Sequence, residues 1–152
     1  MIEVKNIIKS FDGKTILHDV SAKFYSGKTN LIIGQSGSGK TVLMKCIVGL
    51  VRPDQGEILY DGRDFMKMTD AQVKQLRHEI GMLFQGSALF DSETVLGNVM
   101  FPLMMFSGMS RAEQLERAHF CINRVNLAGA ESKYPSEISG GMQKRVAIAR
   151  AI

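Results

Sequence analysis

Apolar and polar positions alternate over the first sixty residues in a way that predicts β-strands. Positions 2–4 alternate, and residues 16–24 form a second run after an Asp-Gly dipeptide at 12–13, which is typical of a hairpin turn. The continuous apolar run 31–33 is typical of a strand that is buried on both faces. Residues 57–60 predict a further strand, so we expect the N-terminal part to be largely antiparallel sheet.

Helical spacing begins at residues 41–50, directly after the 31–33 run and a glycine-rich loop. A capping box, Thr69-x-x-Gln72, opens a second helix that ends at about residue 76. The apolar run 80–84 then predicts a second buried strand. Strands and helices in this order favour an α/β fold.

From residue 92 to residue 127 the pattern is helical. A second capping box lies at 110–113, and we expect Pro102 and Gly108 to separate the helices of this region. The final segment, 139–152, starts with an N-capping serine and two glycines, followed by apolar residues at helical spacing. We interpret the helical region as an insertion within one domain.

The composition is that of a globular domain. The chain has 152 residues, 45% hydrophobic and 22% charged, and its longest apolar run, 99–106, is far shorter than the ~20 residues that span a bilayer. The net charge of +4 comes from scattered Lys and Arg, so we expect a solvated basic surface and no nucleic-acid partner. Cys46 and Cys121 lie far apart and the histidines lack ligand spacing, so no metal site built from protein ligands alone is expected.

A phosphate-binding motif, G-x-x-x-x-G-K-[ST], occupies residues 34–41. Glycines let backbone N–H groups surround a phosphate, and the following helix adds the positive end of its dipole. We expect Lys40 to bind the β- and γ-phosphates and the Thr41 hydroxyl to bind Mg²⁺. The expected nucleotide-binding residues of this loop are Gly34, Gln35, Ser36, Gly37, Ser38, Gly39, Lys40 and Thr41.

A second anion site is predicted at the start of the last segment. Ser139 offers a hydroxyl, Gly140 and Gly141 expose backbone N–H groups, and a helix follows them. The sequence Ile-Ser-Gly-Gly-Met-Gln-Lys-Arg at 138–145 resembles the signature motif of ABC ATPases, usually written LSGGQ. In that family the motif binds the γ-phosphate of ATP held by a second subunit. The resemblance therefore implies a homodimer of nucleotide-binding domains, with a signature made of Ser139, Gly140, Gly141, Met142 and Gln143.

Three supporting matches extend the resemblance over essentially the whole chain. Gln85 stands where the family's Q-loop glutamine contacts Mg²⁺ and the attacking water. Phe11 stands where the family places an aromatic ring that stacks on adenine, and residues 53–58 resemble the family's connection into the next strand. The implied cofactors are ATP and Mg²⁺, with the metal ion held through Thr41 and Gln85 in addition to the nucleotide.

The resemblance also implies the fold. It is the α/β fold of a P-loop NTPase in its ABC-type nucleotide-binding form, with an N-terminal antiparallel β part, an incomplete parallel core and a helical subdomain. We expect one partial domain over 1–152: the antiparallel part and the P-loop core at 1–91, the helical subdomain at 92–138 and the signature helix at 139–152.

The implied function is that of the ATP-binding and hydrolysing subunit that powers an ABC transporter. Residues 81–92 and 98–103, with Met142, resemble the ATPases of Mla-type phospholipid-trafficking systems of bacterial envelopes. This implies transmembrane permease subunits as partners and a peripheral position on the cytoplasmic face of the plasma membrane; residues 1–5 contain no signal-peptide core. Three alternatives stay open: an importer ATPase for a small solute, a soluble non-transport ABC ATPase, and a non-catalytic nucleotide-binding fragment.

The chain departs from the family pattern after the signature helix. A complete ABC ATPase continues with an apolar strand ending in Asp-Glu and then a switch histidine, and residues 1–152 contain neither after residue 145. We therefore expect a truncated chain with little ATP hydrolysis of its own. The resemblance further implies that both strands flanking 31–33 come from the missing sequence, which would leave that strand unpaired and the monomer unstable.

Overall fold

The computed structural model describes residues 1–84 and 86–152. These residues form two compact units, 1–80 and 81–152. Within the described part of the chain, no helix is both long and apolar enough to span a membrane.

An antiparallel sheet is the foundation of the first unit. Its strands are β1 (Ile2–Phe11), β2 (Lys14–Phe24), β3 (Gln55–Tyr60) and β4 (Arg63–Asp64), in the spatial order β2-β1-β3-β4. In the turn between β1 and β2, Asp12 and Gly13 have positive φ angles of 47° and 78°, as a two-residue hairpin loop requires. The predicted hairpin and the predicted strand at 57–60 are therefore confirmed.

Two helices bury their apolar faces in the core of this unit. Helix α1 (Lys40–Ile47) contributes Leu43, Cys46 and Ile47, which lie three and four residues apart and so share one face. Helix α2 (Asp70–His78) contributes Leu76 and starts with the predicted capping box of Thr69 and Gln72. The sheet side of the core consists of Val4, Ile7, Leu17, Ile58 and Tyr60.

The second unit is helical. Its main helices are α3 (Val95–Phe106), α4 (Arg111–Arg124) and α5 (Gly140–Ala151), and each starts at a residue whose side chain accepts a backbone N–H bond. The predicted capping box at 110–113 is confirmed, since the Glu113 carboxylate accepts the Ser110 N–H at 2.7 Å. The core of this unit is formed by Val95, Val99, Met100, Ala118, Cys121, Ile122, Leu127, Ile138, Val146 and Ala149.

Pro102 does not separate two helices; that prediction was wrong. It lies inside α3, which continues to Phe106. Proline removes one backbone hydrogen bond and costs a helix about 3 kcal/mol. Burial of Val95, Val99 and Met100 on the preceding turns offsets that cost, because each fully buried side chain of this size contributes about 1.5–3 kcal/mol. Gly108 does lie between α3 and α4, as predicted.

The two predicted buried strands, 31–33 and 80–84, are also corrected. Neither is a strand, and in the first segment Leu31 and Ile33 are 77% and 83% exposed. All strand pairs of the described residues are antiparallel and belong to the four-stranded sheet. An apolar run indicates that a segment tends to be buried. A strand also needs a neighbouring strand to hydrogen-bond its backbone groups, and the described residues provide none beside 31–33.

Candidate functional site

The loop 34–41 connects the 31–33 segment to α1, and glycine is required at several of its positions. Gly37 and Gly39 have positive φ angles of 81° and 88°. A Cβ atom on Gly39 would lie 2.8 Å from Cδ2 of Leu17, and one on Gly34 would lie 2.7 Å from Oγ of Ser38. The loop is therefore a tight backbone cradle that side chains would fill.

The start of α1 differs from the start of every other α-helix in the described chain. The other four are capped by the side chains of Thr69, Thr94, Ser110 and Ser139. The N-cap residue of α1 is Gly39, which has no side chain to accept the free N–H groups of the first turn. Those donors and the positive end of the helix dipole are left for an anion, and residues 34–38 are exposed to solvent.

Lys40 adds a cation to this loop. Its Nζ donates hydrogen bonds to the carbonyl oxygens of Gly34 at 2.9 Å and Gln35 at 2.6 Å. Among the ion pairs of the described residues, none involves Lys40, so neutral carbonyls hold the ammonium and its charge is not cancelled by a carboxylate. A glycine cradle, an uncapped helix start and an uncancelled cation together fit the phosphate groups of a nucleotide.

Within this loop, one side chain is suited to bind Mg²⁺. Thr41 follows Lys40 in the first turn of α1 and is exposed, so its hydroxyl can serve as one oxygen ligand. Within the described part of the chain, no group of three or more His, Cys, Asp or Glu residues is arranged to hold a metal ion. Gln85, the other predicted Mg²⁺ contact, lies outside the described residues.

Phe11 lies at the end of β1, where its ring is 43% exposed. In the hairpin it pairs with Lys14, and Lys9, two residues earlier, pairs with Leu17. Leu17 is also the residue on which Gly39 packs. The aromatic side chain and the glycine-rich loop therefore meet the same end of the hairpin.

Residues 53–58 resemble the family's connection into the next strand. They hold the chain that follows α1 against β1. The Asp54 carboxylate accepts hydrogen bonds from Lys9 Nζ at 2.6 Å and from the Ser10 N–H at 2.7 Å. These two donors hold the pKa of Asp54 below its usual value. Gly56 crosses β1 so closely that a Cβ atom would lie 2.5 Å from the Lys5 carbonyl oxygen.

The predicted signature residues share the first turn of α5, but they differ in what they contact. Ser139 caps the helix, since its Oγ accepts the Met142 N–H at 3.3 Å. Gly140 and Gly141 are exposed, and a Cβ on Gly140 would meet nothing within 4 Å. Met142 packs against the core of the second unit, and Gln143 donates to the Pro135 carbonyl oxygen at 2.9 Å. The exposed part of the predicted anion site is thus the serine and its two glycines.

Sequence reasoning missed two side chains that organise the segment after Gln85. The Arg150 guanidinium donates to the carbonyl oxygens of Ser87 at 2.9 Å and Ala88 at 2.8 Å, and burial lowers its pKa. Asn98, fully buried, accepts the Phe90 N–H and donates to the Phe90 carbonyl oxygen. The Arg150 contacts span 62 and 63 positions, and the Asn98 contacts with Phe90 span eight, which is beyond the reach of a capping box.

The sequence is similar to those of transport ATP-binding proteins. The family model described as "ABC transporter" matches residues 17–152. The chain is 39% identical to the probable ribonucleotide transport ATP-binding protein mkl of Mycobacterium leprae over 99% of this chain and 44% of mkl. It is 42% identical to the methionine import ATP-binding protein MetN of Symbiobacterium thermophilum over 100% of this chain and 47% of MetN. The chain thus spans about half the length of the curated relatives it matches.

A solved structure gives the same result for the fold. The bacterial ABC transporter cassette MJ0796, solved as a dimer, has a TM-score of 0.88 and 34% identity, covering 100% of this chain and 69% of that one. The same cassette has also been solved in a post-hydrolysis state bound to ADP and Pi. On both the sequence and the structural evidence, the chain belongs to the ABC transporter family and has the fold of its ATP-binding cassette.

Proposed function

We propose that the chain is the ATP-binding region of the subunit that powers an ABC transporter, and that it binds ATP with Mg²⁺ at residues 34–41. The observation that carries this proposal is the start of α1, which follows the glycine-rich loop and has no side-chain cap. Lys40, in the first turn of the helix, donates its hydrogen bonds to neutral backbone carbonyl oxygens. Loss of ATP affinity in Lys40→Ala, with the fold retained, is the test.

Each site residue has a proposed role. Backbone N–H groups of the loop bind the phosphates, Lys40 neutralises the β- and γ-phosphates, and Phe11 stacks on the adenine. Thr41 and Gln85 contact Mg²⁺. Held by these residues and the nucleotide, Mg²⁺ would supply positive charge that reduces the repulsion among the phosphate groups.

The signature residues serve a second copy of the chain in this proposal. Ser139, Gly140 and Gly141 contact the γ-phosphate of ATP bound to the partner copy, so that two chains enclose two nucleotides. The cassette MJ0796, solved as a dimer, supports the pairing of two copies. We also propose that the two compact units are parts of one nucleotide-binding domain.

Gly140 offers a specific test of the dimer. A Cβ atom at this position would meet nothing within 4 Å, so Gly140→Asp places a negative charge beside the predicted anion site without a clash at its Cβ. We expect Mg-ATP to increase the dimer fraction of the wild type in analytical ultracentrifugation, and Gly140→Asp to abolish that increase. Gly108→Asp, in the loop between α3 and α4, also meets nothing within 4 Å and is the control. Equal dimerisation of both variants would refute the role of the signature.

ABC ATPases hydrolyse ATP as a family. For these 152 residues by themselves we propose slow ATP hydrolysis. No apolar strand ending in Asp-Glu follows the signature helix within the sequence, so no glutamate of the expected kind stands beside the attacking water. Phosphate release by this chain at the rate of a complete ABC ATPase would contradict the proposal. ATP binding without turnover, here and in a longer chain, would favour a non-catalytic module instead.

The proposed partners are transmembrane permease subunits, which would hold the chain at the cytoplasmic face of a bacterial plasma membrane. The cargo we propose is a phospholipid, supported by the resemblance of residues 81–103 to phospholipid-trafficking ATPases. The names of mkl and MetN point instead to polar solutes for those relatives. Purification of the complex from membranes, followed by identification of the permease and its bound ligand, decides between these cargo classes. A permease that carries amino acids or nucleotides would contradict the lipid assignment.

A further inference from the structure

The Lys9–Asp54 ion pair links the strand that carries Phe11 to the loop after α1. Lys9 Nζ lies 2.6 Å from Asp54 Oδ1, and the second carboxylate oxygen accepts the N–H of Ser10, the residue between Lys9 and Phe11. The backbone N–H of Asp54 donates to the Ile8 carbonyl oxygen at 2.9 Å. Asp54 therefore holds three consecutive residues immediately before Phe11.

The same ammonium contacts the Phe11 ring. Lys9 Nζ lies over the ring at 5.2 Å from its centroid, within the range of a cation–π interaction. The Lys9 side chain is only 15% exposed, so the carboxylate and the ring hold the ammonium in one place. Because an aromatic ring at a hairpin end is otherwise free to rotate, this contact fixes where the exposed ring lies.

The pair also borders the helix that begins at the glycine-rich loop. Burial raises the pKa of the Cys46 thiol in α1, and the charges of Lys9 and Asp54 make smaller, opposite contributions to that pKa. Lys9 pairs with Leu17, on which Gly39 packs. The ion pair thus lies beside the aromatic ring and close to the place where β1, β2 and α1 come together.

We propose that Lys9 and Asp54 are positioning residues that hold the Phe11 ring in place for the base of the bound nucleotide. This inference rests on the proposed function of Phe11 and the loop 34–41. Asp54 fixes the Lys9 ammonium, and the ammonium and the Ser10 N–H bond fix the ring. The Phe11 ring is then already ordered before the nucleotide binds. Binding therefore does not include the entropic cost of ordering this side chain.

A second ion pair of the same sheet shows what a purely structural link looks like. Lys23 Nζ of β2 lies 3.0 Å from Glu3 Oε1 of β1, and its side chain is 53% exposed. Within the described residues neither member of this pair forms a cation–π contact. Glu3→Gln is therefore the matched control for a lost β-sheet ion pair that makes no cation–π contact.

The test compares two ligands that differ only in having a nucleoside. Affinities for Mg-ATP and for Mg-tripolyphosphate are measured by titration calorimetry on the full chain, and circular dichroism checks the fold of each variant. We expect Asp54→Asn to weaken ATP binding about two- to fivefold, the size of an exposed cation–π contact, and to change tripolyphosphate binding less than twofold. Lys9→Met should weaken ATP binding to the same extent, although Asp54 still accepts the Ser10 N–H bond. This second variant tests the inference if Asp54→Asn does not fold.

A double mutant separates positioning from general stability. Phe11→Ala alone should weaken ATP binding about fivefold or more, as the loss of one base stack does, and adding Asp54→Asn should then have no further effect. Equal losses for ATP and tripolyphosphate, additive losses in the double mutant, or an effect of Glu3→Gln as large as that of Asp54→Asn would overturn the inference. If Phe11→Ala leaves ATP affinity unchanged, the adenine role of Phe11 fails and this inference fails with it. The loop 34–41 is tested separately by Lys40→Ala.

Discussion

Gly39 approaches Leu17 so closely that an added Cβ atom would lie 2.8 Å from Cδ2 of the leucine. This contact fixes the start of α1 against β2, because Leu17 is itself buried in the core of the first unit. It also explains why the loop 34–41 needs glycine at its end as well as at its beginning. The glycine-rich loop 34–41 is therefore anchored to the same hairpin that carries Phe11.

The first prediction concerns Gly39→Ala. The substitution combines a left-handed φ of 88° with a clash against Leu17, so we expect a loss of stability of about 2–4 kcal/mol in urea unfolding. Gly37→Ala is the control, since Gly37 has a similar φ of 81° but nothing within 4 Å of its Cβ position. Its expected cost is only the backbone term of about 1–2 kcal/mol. Equal losses for the two variants would show that the contact with Leu17 carries no cost.

A second prediction uses Tyr60, a buried residue of β3 whose hydroxyl donates to the Ile47 carbonyl oxygen in α1. Burial raises the pKa of Tyr60 to about 12. The raised pKa means that the stabilisation is complete below pH ~10, the unfolded value, and is lost as pH rises towards about 12. The full change is about 3 kcal/mol.

Tyr60→Phe separates the pH dependence caused by the Tyr60 hydroxyl from that of the other titrating groups. It should be less stable than the wild type by about 1–3 kcal/mol at pH 8, because the Ile47 carbonyl loses its donor. Urea unfolding at pH 8 and pH 11 should then show a steeper decline for the wild type than for Tyr60→Phe. Parallel declines would place the pH-sensitive group elsewhere.

A third prediction concerns Asn98, which holds both backbone groups of Phe90 in the second unit. Asn98→Ala leaves a backbone N–H without its acceptor, at a cost of about 1–3 kcal/mol. We expect amide exchange at Phe90 to become about tenfold faster or more, measured by NMR under native conditions. Asn123→Ala, at an exposed position of α4, should leave the Phe90 amide unchanged. Unchanged protection in Asn98→Ala would contradict the role of the asparagine.

Local chemistry made much of this fold predictable from sequence. The hairpin turn at 12–13, the capping boxes at 69–72 and 110–113, and the cap at Ser139 all depend on residues within four positions of each other. The family could also be inferred, because the motifs at 34–41 and 138–145 are short, contiguous sequences. The match of the family model over 17–152 agrees with that inference.

Non-local relations were harder to predict. The apolar run 31–33 indicated a strand, but pairing depends on distant segments, and Leu31 and Ile33 are exposed instead. Pro102 indicated a helix boundary, but the packing of α3 outweighs the local cost. The Lys9–Asp54 pair joins residues 45 positions apart, so only the folded sheet reveals it.

The central claim is that the glycine loop and Lys40 bind the phosphates of ATP, and equilibrium binding of Mg-ATP to two lysine variants tests it most directly. Lys40→Ala removes a charge-assisted phosphate contact of about 1.5–3 kcal/mol, so its affinity should fall about tenfold or more. Lys45→Ala is the control, because Lys45 lies in the last turn of the same helix, away from the loop. The account predicts a large loss for Lys40→Ala and an unchanged affinity for Lys45→Ala. Folded Lys40→Ala protein that binds Mg-ATP as tightly as the wild type would contradict it.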